Sequence, residues 1–325
     1  MKEKILDLLR SKADFLSGQE ISEKLGVSRT AVWKAIRQLE EDGYVIEAVR
    51  NKGYCLVSEP DLLSESRIRQ CLHTLWAGSS LLVKDEVDST NNLAKLCAEE
   101  GAGHGLLVVS EQQTAGKGRR GRAWRSQKGE GIFMTLLLKP DIEPGNASML
   151  TLVMALAVRS ALETVGKLPA QIKWPNDIVC DGKKVCGILT EMSAQMDYIN
   201  HIVIGVGINV HNEQFPEEMK HMATSVYLQT KEHINRAELI AEVMKCFEHY
   251  YGCYFETQDL RNLVDEYNRY LVNRSRQVRV LDPKQSYTGT AIGINTAGEL
   301  EVQTDAGISR VASGEVSVRG VYGYV

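Results

Sequence analysis

At 325 residues the chain is long enough for two or three domains, each able to bury its own core. Its 38 Lys and Arg against 42 Asp and Glu leave a formal net charge of −4, so there is no bulk attraction to polyanions and any nucleic-acid contact must come from a local patch. The seven cysteines (Cys55, Cys71, Cys97, Cys180, Cys186, Cys246 and Cys253) are odd in number and never spaced C-x-x-C, which argues against a disulfide framework or a zinc site and predicts buried reduced thiols.

The N-terminal MKEKILDLLRSK has helical periodicity with charges throughout. It lacks the apolar run and cleavage site of a secretory signal, so a cytoplasmic protein with no membrane partner is expected. A first helix, Lys2 to Lys12, turns Ile5, Leu6, Leu8 and Leu9 inward. Ser17 or Gly18 starts a second, with Ile21 and Leu25 one turn apart and Gly26 as its stop. Ser28 is a natural N-cap for RTAVWKAIRQLEEDG, whose buried stripe is Val32, Ile36 and Leu39 and which Gly43 closes. The segment YVIEAVRNKGYCLV then alternates, with Asn51-Lys52-Gly53 as a turn between two short strands. This order predicts a winged helix-turn-helix over residues 1–63. Arg29, Thr30, Lys34 and Arg37 point away from the buried stripe, as in a helix that enters a major groove, and Arg50 and Lys52 fall at the wing tip. A charged helix face is ordinarily only solvated; the helix order, the Gly26 turn and the wing favour DNA.

Pro60 and the polar DLLSESRIR stretch read as a linker, after which strands alternate with helices in a second domain, 64–272. Strands are predicted at Leu81–Glu86, Leu106–Glu111, Ile132–Leu138, Ala170–Lys173, Lys184–Met192 and Tyr198–Val210. Helices are predicted at Met149–Val165, Arg236–Phe255 and Asp259–Leu271. The apolar pattern from Leu150 to Leu162 is broken by Arg159 and too short for a bilayer, so it reads as a buried helix. From Arg276 onward VRVLD, YTGTAIGI, LEVQT, ISRVA and EVSVRGV are short alternating strands, predicting a small antiparallel barrel over 273–325.

The run from Gly116 to Arg122 matches G-x-G-x-x-G and nearly fits a Walker A loop. Both readings fail. No helix follows, and Gly-Lys is not followed by Ser or Thr. What remains is a glycine-rich loop between two strands in which Lys117, Arg119, Arg120 and Arg122 offer charge-assisted bonds to a phosphate or carboxylate. Lys173-Trp174-Pro175-Asn176-Asp177 ends one strand and starts another, and Gly182 to Ile188 makes a hairpin into a long apolar strand. A Lys at such a strand start is usually solvated; only the co-occurrence of these motifs, in order, favours a site.

Asp88-Ser89-Thr90-Asn91, the loop from Glu111-Gln112-Gln113 to Arg122, the Trp-Pro-Asn-Asp run, Lys184 to Ile188, and Gly205-Val206-Gly207-Ile208-Asn209 together resemble the motif set of bifunctional biotin protein ligases. The resemblance covers essentially the whole chain, and with the winged helix in front it extends to the biotin operon repressor subgroup. It implies a multidomain α+β protein: the winged helix-turn-helix, a class II synthetase-like mixed α/β catalytic domain and a small SH3-like β-barrel. It further implies formation of biotinyl-5'-AMP from biotin and ATP with Mg²⁺, and transfer of biotin to a lysine of the biotin carboxyl carrier domain of acetyl-CoA or pyruvate carboxylase. Biotinyl-AMP would order the glycine-rich loop, drive homodimerisation and so control binding to operator DNA of biotin genes.

By the same resemblance Lys184, Arg119 and Lys117 are catalytic. Ser89, Thr90, Gln113, Gly118, Gly187 and Gly207 bind biotin, with Gln112 the alternative register for Gln113. Asn91, Arg122, Trp124, Asn176 and Asn209 bind the adenylate, and Asp177 holds Mg²⁺. Ser28 joins Arg29, Thr30, Lys34, Arg37, Arg50 and Lys52 in the DNA-binding set. The family loop usually opens Gly-Arg-Gly; Lys117 in its place supplies a point charge without a bidentate fork. A lipoate or octanoate ligase shares the implied catalytic fold but does not usually carry a winged helix before such a loop. A noncatalytic metabolite sensor has no need of a phosphate clamp such as Lys117, Arg119 and Lys184. No Ser-His-Asp or Cys-His arrangement offers competing chemistry.

Overall fold

Capping chemistry sets the first helices. In the computed structural model α1 is Lys2–Arg10, α2 Gly18–Leu25 and α3 Arg29–Glu41, followed by an antiparallel hairpin of β1 (Val45–Val49) and β2 (Gly53–Ser58). Ser17 Oγ accepts from Glu20 N at 3.1 Å while Glu20 Oε2 accepts from Ser17 N at 3.0 Å, a reciprocal capping box. Gly26 leaves α2 in the left-handed conformation at φ 65°. Ile5, Leu6, Leu9, Ile21, Val32, Ile36 and Leu39 are buried together, whereas Leu8 only packs on the margin. Gly53 is required at the hairpin turn, since a Cβ there would collide with the Leu16 carbonyl.

Residues 1–325 are described except Ala13, Asp42, Pro60, 282–285, 314–316 and 321–323, so the Pro60 linker reading and Asp282, Glu315, Val316 and Val321 of the expected terminal strands lie outside the described residues. The chain divides into two compact units, Met1–Leu62 and Leu63–Val325.

The second unit opens with α4 (Glu65–Cys71) and is built on a seven-stranded mixed sheet. β3 (Ser80–Val87) leads through α5 (Thr90–Glu99) to β4 (Leu106–Gln113), and these two strands run parallel. β5 (Gly131–Leu138) precedes the long helix α6 (Met149–Thr164), and β6 (Gln171–Lys173), β7 (Asp177–Cys180), β8 (Lys183–Ala194) and β9 (Ile199–Asn209) follow. The strand order is β3-β4-β5-β9-β8-β7-β6. Then come α7 (Val226–Thr230), α8 (Arg236–Phe255) and α9 (Val264–Tyr270).

Alternation splits the sheet into two faces. Leu107, Val109, Met134 and Ile204 meet the core that includes α6 and α8, while Val108, Leu137 and Val203 meet Ala94 and Ala98 of α5. With the turn before it, Pro144–Thr164 is long and apolar enough to cross a membrane, but 78% of its most apolar window is buried inside the protein. Arg159 within it is neutralised by Glu163 at 2.7 Å and stacks 3.3 Å from the Tyr270 ring. The helix expected from Asp259 starts only at Val264, because the Asp259 carboxylate accepts from Arg261 N at 2.9 Å in a competing turn.

β10 (Gln277–Leu281), β11 (Tyr287–Ile294), β12 (Leu300–Thr304), β13 (Gly307–Val311) and β14 (Ser317–Gly320) make a second, antiparallel sheet in the order β13-β12-β11-β10-β14. Its inward residues, among them Val278, Val280 and Val302, join the large core of this unit. All seven cysteines are free; Cys180 and Cys186 are buried, but the other five are only half-buried, correcting the expectation of uniformly buried thiols.

Candidate active site

The start of α5, the end of β4 and three strand glycines enclose one cleft. Ser89, Thr90 and Asn91 are buried at the helix start, where Thr90 donates from its N and its Oγ1 to Gln113 Oε1 at 2.8 and 3.1 Å. The Thr135 hydroxyl lies 2.8 Å from Thr90 Oγ1 and 2.7 Å from Asn91 Oδ1. Gly187 of β8 pairs with Gly207 of β9 and Gly205 pairs with Leu189, and all three glycines line the cleft floor, where the Asn91 side chain packs against Gly205.

The glycine-rich loop folds over that floor as a closed hairpin. Trp124 N donates to Gly116 O at 2.8 Å, Gly118 N donates to Arg122 O at 2.7 Å, and Arg119–Gly121 form a short 3-10 turn. The Trp124 indole lies on two of the floor glycines: a Cβ at Gly207 would come within 2.6 Å of the ring, and one at Gly187 within 2.9 Å. Gly187 also leaves room for Lys184, whose Nζ would stand 2.8 Å from such a Cβ.

One end of the cleft is strongly cationic. Lys184 Nζ pairs with Asp177 Oδ1 at 2.5 Å, and Lys173 Nζ lies 3.9 Å from Asp177 Oδ2. Burial opposes the Asp177 charge, but Lys184 and Lys173 outweigh it and hold its pKa below the ordinary value. Burial lowers the Lys173 pKa to about 8 against the pull of Asp177. Arg119 donates to Asn176 Oδ1 at 3.0 Å and to the Ser313 carbonyl at 2.5 Å. Its pKa is lowered, first by burial, with Asp177 opposing. Lys117 is exposed at the mouth, 3.2 Å from Asn92 Oδ1.

Most of the expected residues converge. Ser89, Thr90, Asn91, Gln113, Lys117, Gly118, Arg119, Trp124, Asn176, Lys184, Gly187 and Gly207 all line the cleft. Within it, Asn91 is a strut, because its amide donates to Glu191 Oε2 at 2.7 Å and Leu189 O at 3.3 Å. Asn209 does not line the cleft, since its amide donates to Thr224 O at 3.0 Å, and Arg122 is exposed outside it. Asp177 does not fit a Mg²⁺ site: its carboxylate is taken by two ammonium groups, and among the described residues no three His, Cys, Asp or Glu side chains converge on a metal position.

Sequence reasoning missed Thr135, Glu191 and Tyr324. Thr135 had a signal, as the one hydroxyl in IFMTLLL. Tyr324, which donates to Asp177 Oδ2, had none.

In the N-terminal unit Arg29, Thr30, Lys34, Arg37, Arg50 and Lys52 are all exposed. Arg29, Thr30, Arg50 and Lys52 share one groove between α3 and the hairpin, while Lys34 and Arg37 lie outside it. Ser28 Oγ accepts from Ala31 N at 3.2 Å, as a cap does. The groove also carries Trp33, 50% exposed, with the Arg37 guanidinium 5.3 Å from its ring, a residue the sequence reading passed over.

Three families match along the chain: an HTH domain at residues 2–55, the biotin/lipoate A/B protein ligase family at 83–209, and the biotin protein ligase C-terminal domain at 276–319. The chain is 42% identical over 308 residues to the bifunctional ligase/repressor BirA of Bacillus spizizenii, covering 94% of both chains. It is 29% identical over 321 residues to the protein of the same name from Escherichia coli, covering 97% of this chain and 96% of that one. A solved biotin protein ligase from Aquifex aeolicus in complex with biotin and ATP superposes with a TM-score of 0.67 at 32% identity, over 74% of this chain and 99% of that one.

Proposed function

The chain belongs to the bifunctional ligase/repressor family of biotin protein ligases, and we propose that its cleft makes biotinyl-5'-AMP from biotin and ATP and then acylates a carrier-protein lysine. The observation that carries this reading is a cleft with neutral hydrogen-bonding groups at one end (Ser89, Thr90, Gln113), glycines along its floor, Lys184 and Arg119 at its cationic end, and Lys117 at the mouth beside Asn92. That polarity suits a molecule with a ureido head, an apolar chain and a terminal carboxylate.

In the first step a biotin carboxylate oxygen attacks the α-phosphorus of ATP and pyrophosphate leaves. Two anions meet, so cations fixed in advance by Asp177 and Asn176 lower the barrier without reorganising. Lys184 is an electrophilic stabiliser here, since its ammonium is fixed in place by its ion pair with Asp177. In the second step a neutral acceptor lysine attacks the acyl carbonyl, AMP leaves, and the amine proton passes to solvent. Trp124 shapes the nucleotide side. Mg²⁺ enters with the ATP phosphates as part of the substrate.

The domains of the proposal are a winged helix-turn-helix over 1–63, a class II synthetase-like catalytic domain over 64–272 and an SH3-like barrel over 273–325. The protein is cytoplasmic. It modifies the carrier domain of acetyl-CoA or pyruvate carboxylase and binds operator DNA of biotin genes as a homodimer when biotinyl-AMP is bound. One helix and one hairpin supply only a handful of phosphate contacts, whereas two linked half-sites add avidity. The test is incubation of the full chain with Mg-ATP and either biotin or lipoate, followed by carrier domain and sedimentation. Pyrophosphate, an acylated carrier and additional dimer are expected with biotin. Carrier acylation with lipoate alone would overturn the substrate, and equal dimer fractions with and without adenylate would overturn the coupling.

A further inference from the structure

A residue distant in sequence reaches the cationic end of the cleft. Tyr324 Oη donates to Asp177 Oδ2, and the Lys173 ammonium sits 4.0 Å from the Tyr324 ring centroid. The next residue, Val325, lies against the turn between β7 and β8, where a Cβ on Gly182 would come within 3.3 Å of it. Upstream, β14 pairs with β10 and carries the buried Val318.

The geometry sets two ammonium groups in competition for one carboxylate. Asp177 offers Oδ1 to Lys184 at 2.5 Å, while Lys173 approaches Oδ2 at 3.9 Å. A carboxylate with no other partner would be free to turn between them. Tyr324 removes that freedom twice over. Its hydroxyl takes Oδ2, which fixes the carboxylate plane with Oδ1 toward Lys184, and its ring gives Lys173 a separate electrostatic partner. We propose that Tyr324 is a positioning residue for acyl-adenylation, acting through Asp177 to hold the Lys184 ammonium at the reacting carboxylate. This rests on the ligase reading given above.

The experiment uses the full chain and three variants, Tyr324→Phe, Tyr324→Leu and Val325→Ala, with pyrophosphate release from biotin and Mg-ATP as the signal and Tm measured in parallel. Tyr324→Phe should lower kcat about tenfold, the effect of one lost charge-assisted hydrogen bond, while the KM for biotin stays close to wild type and Tm falls by only a few degrees, since Lys184 and Lys173 still face Asp177. Tyr324→Leu, which also withdraws the ring from Lys173, should lower kcat further. Val325→Ala should match wild type. Wild-type kcat in Tyr324→Phe overturns the proposal, as does a loss that vanishes when the assay is run well below the variant's Tm or an equal loss in Val325→Ala, either of which would make the contact a structural anchor only. A wild-type chain that releases no pyrophosphate with biotin would instead overturn the ligase reading, so the two failures are distinguishable.

Discussion

In a Lys184→Ala variant the Asp177 carboxylate stays buried but loses the ammonium 2.5 Å from Oδ1. Removing one partner of a buried ion pair costs roughly 3–5 kcal/mol when the remaining charge is uncompensated. Here Lys173, at 3.9 Å, and the Tyr324 hydroxyl remain, so about 2 kcal/mol is the expected loss. For a unit of this size that lowers Tm by about 4–8 °C, without abolishing the fold. A solvated lysine at a strand start would cost almost nothing; the burial of Asp177 makes the difference. Adenylation should fall about 100- to 1,000-fold, as for loss of a preorganised electrostatic group. Biotin-dependent pyrophosphate exchange and thermal melting read the two losses separately, and Lys184→Ala/Asp177→Asn should recover Tm but not exchange. The wild-type Asp177 pKa lies below the ordinary carboxylate value, so its stabilisation is present above that value and lost as pH falls through the folded pKa. The variant should lose it at higher pH. Wild-type exchange in Lys184→Ala, or a double variant melting no higher than the single one, would refute the reasoning.

Gly207→Ala would bring a methyl within 2.6–2.9 Å of three Trp124 ring atoms, so a loss of about 1–3 kcal/mol in stability and a raised KM for biotin are expected. Adding Trp124→Ala should restore Tm, and a double variant as unstable as the single one counts against the packing. The Lys173 pKa, lowered by burial to about 8, is below its unfolded value, so keeping the ammonium charged costs stability at neutral pH and the cost lifts as pH rises above about 8. The Tm of wild type relative to Lys173→Met should therefore climb between about pH 8 and pH 10; a constant difference would contradict the burial of this charge. Deleting residues 1–62 should abolish retardation of operator DNA in a gel while pyrophosphate release largely persists, and retained DNA binding would remove α3 and its hairpin as the reading elements.

Local signals were legible wherever the physics is local. The Gly18 and Arg29 helix starts, the Gly26 stop and the entire span Arg236–Phe255 follow from caps and periodicity within a few residues of each boundary. The ordered motifs likewise brought most cleft-lining residues to attention, from Ser89 to Gly207, because each sits at a strand end or helix start that its own neighbours define. What a side chain does once it arrives was not legible. Asn91 and Asn209 have the chemistry of ligand contacts, yet their amides are engaged by Glu191 and by the Thr224 carbonyl, partners that only sheet closure brings near. Asp177 looked like a metal ligand until Lys173, Lys184 and Tyr324 were seen around it. Hydrophobic periodicity states which face of an element is buried, but a hydrogen bond between residues 147 positions apart depends on the packing of every element between them. The amino-acid sequence by itself therefore determined the elements, their order and the residues brought to the cleft. Tertiary structure alone decided which of those residues remain available to a ligand, because a polar group's free valence is set by its nearest neighbours in space.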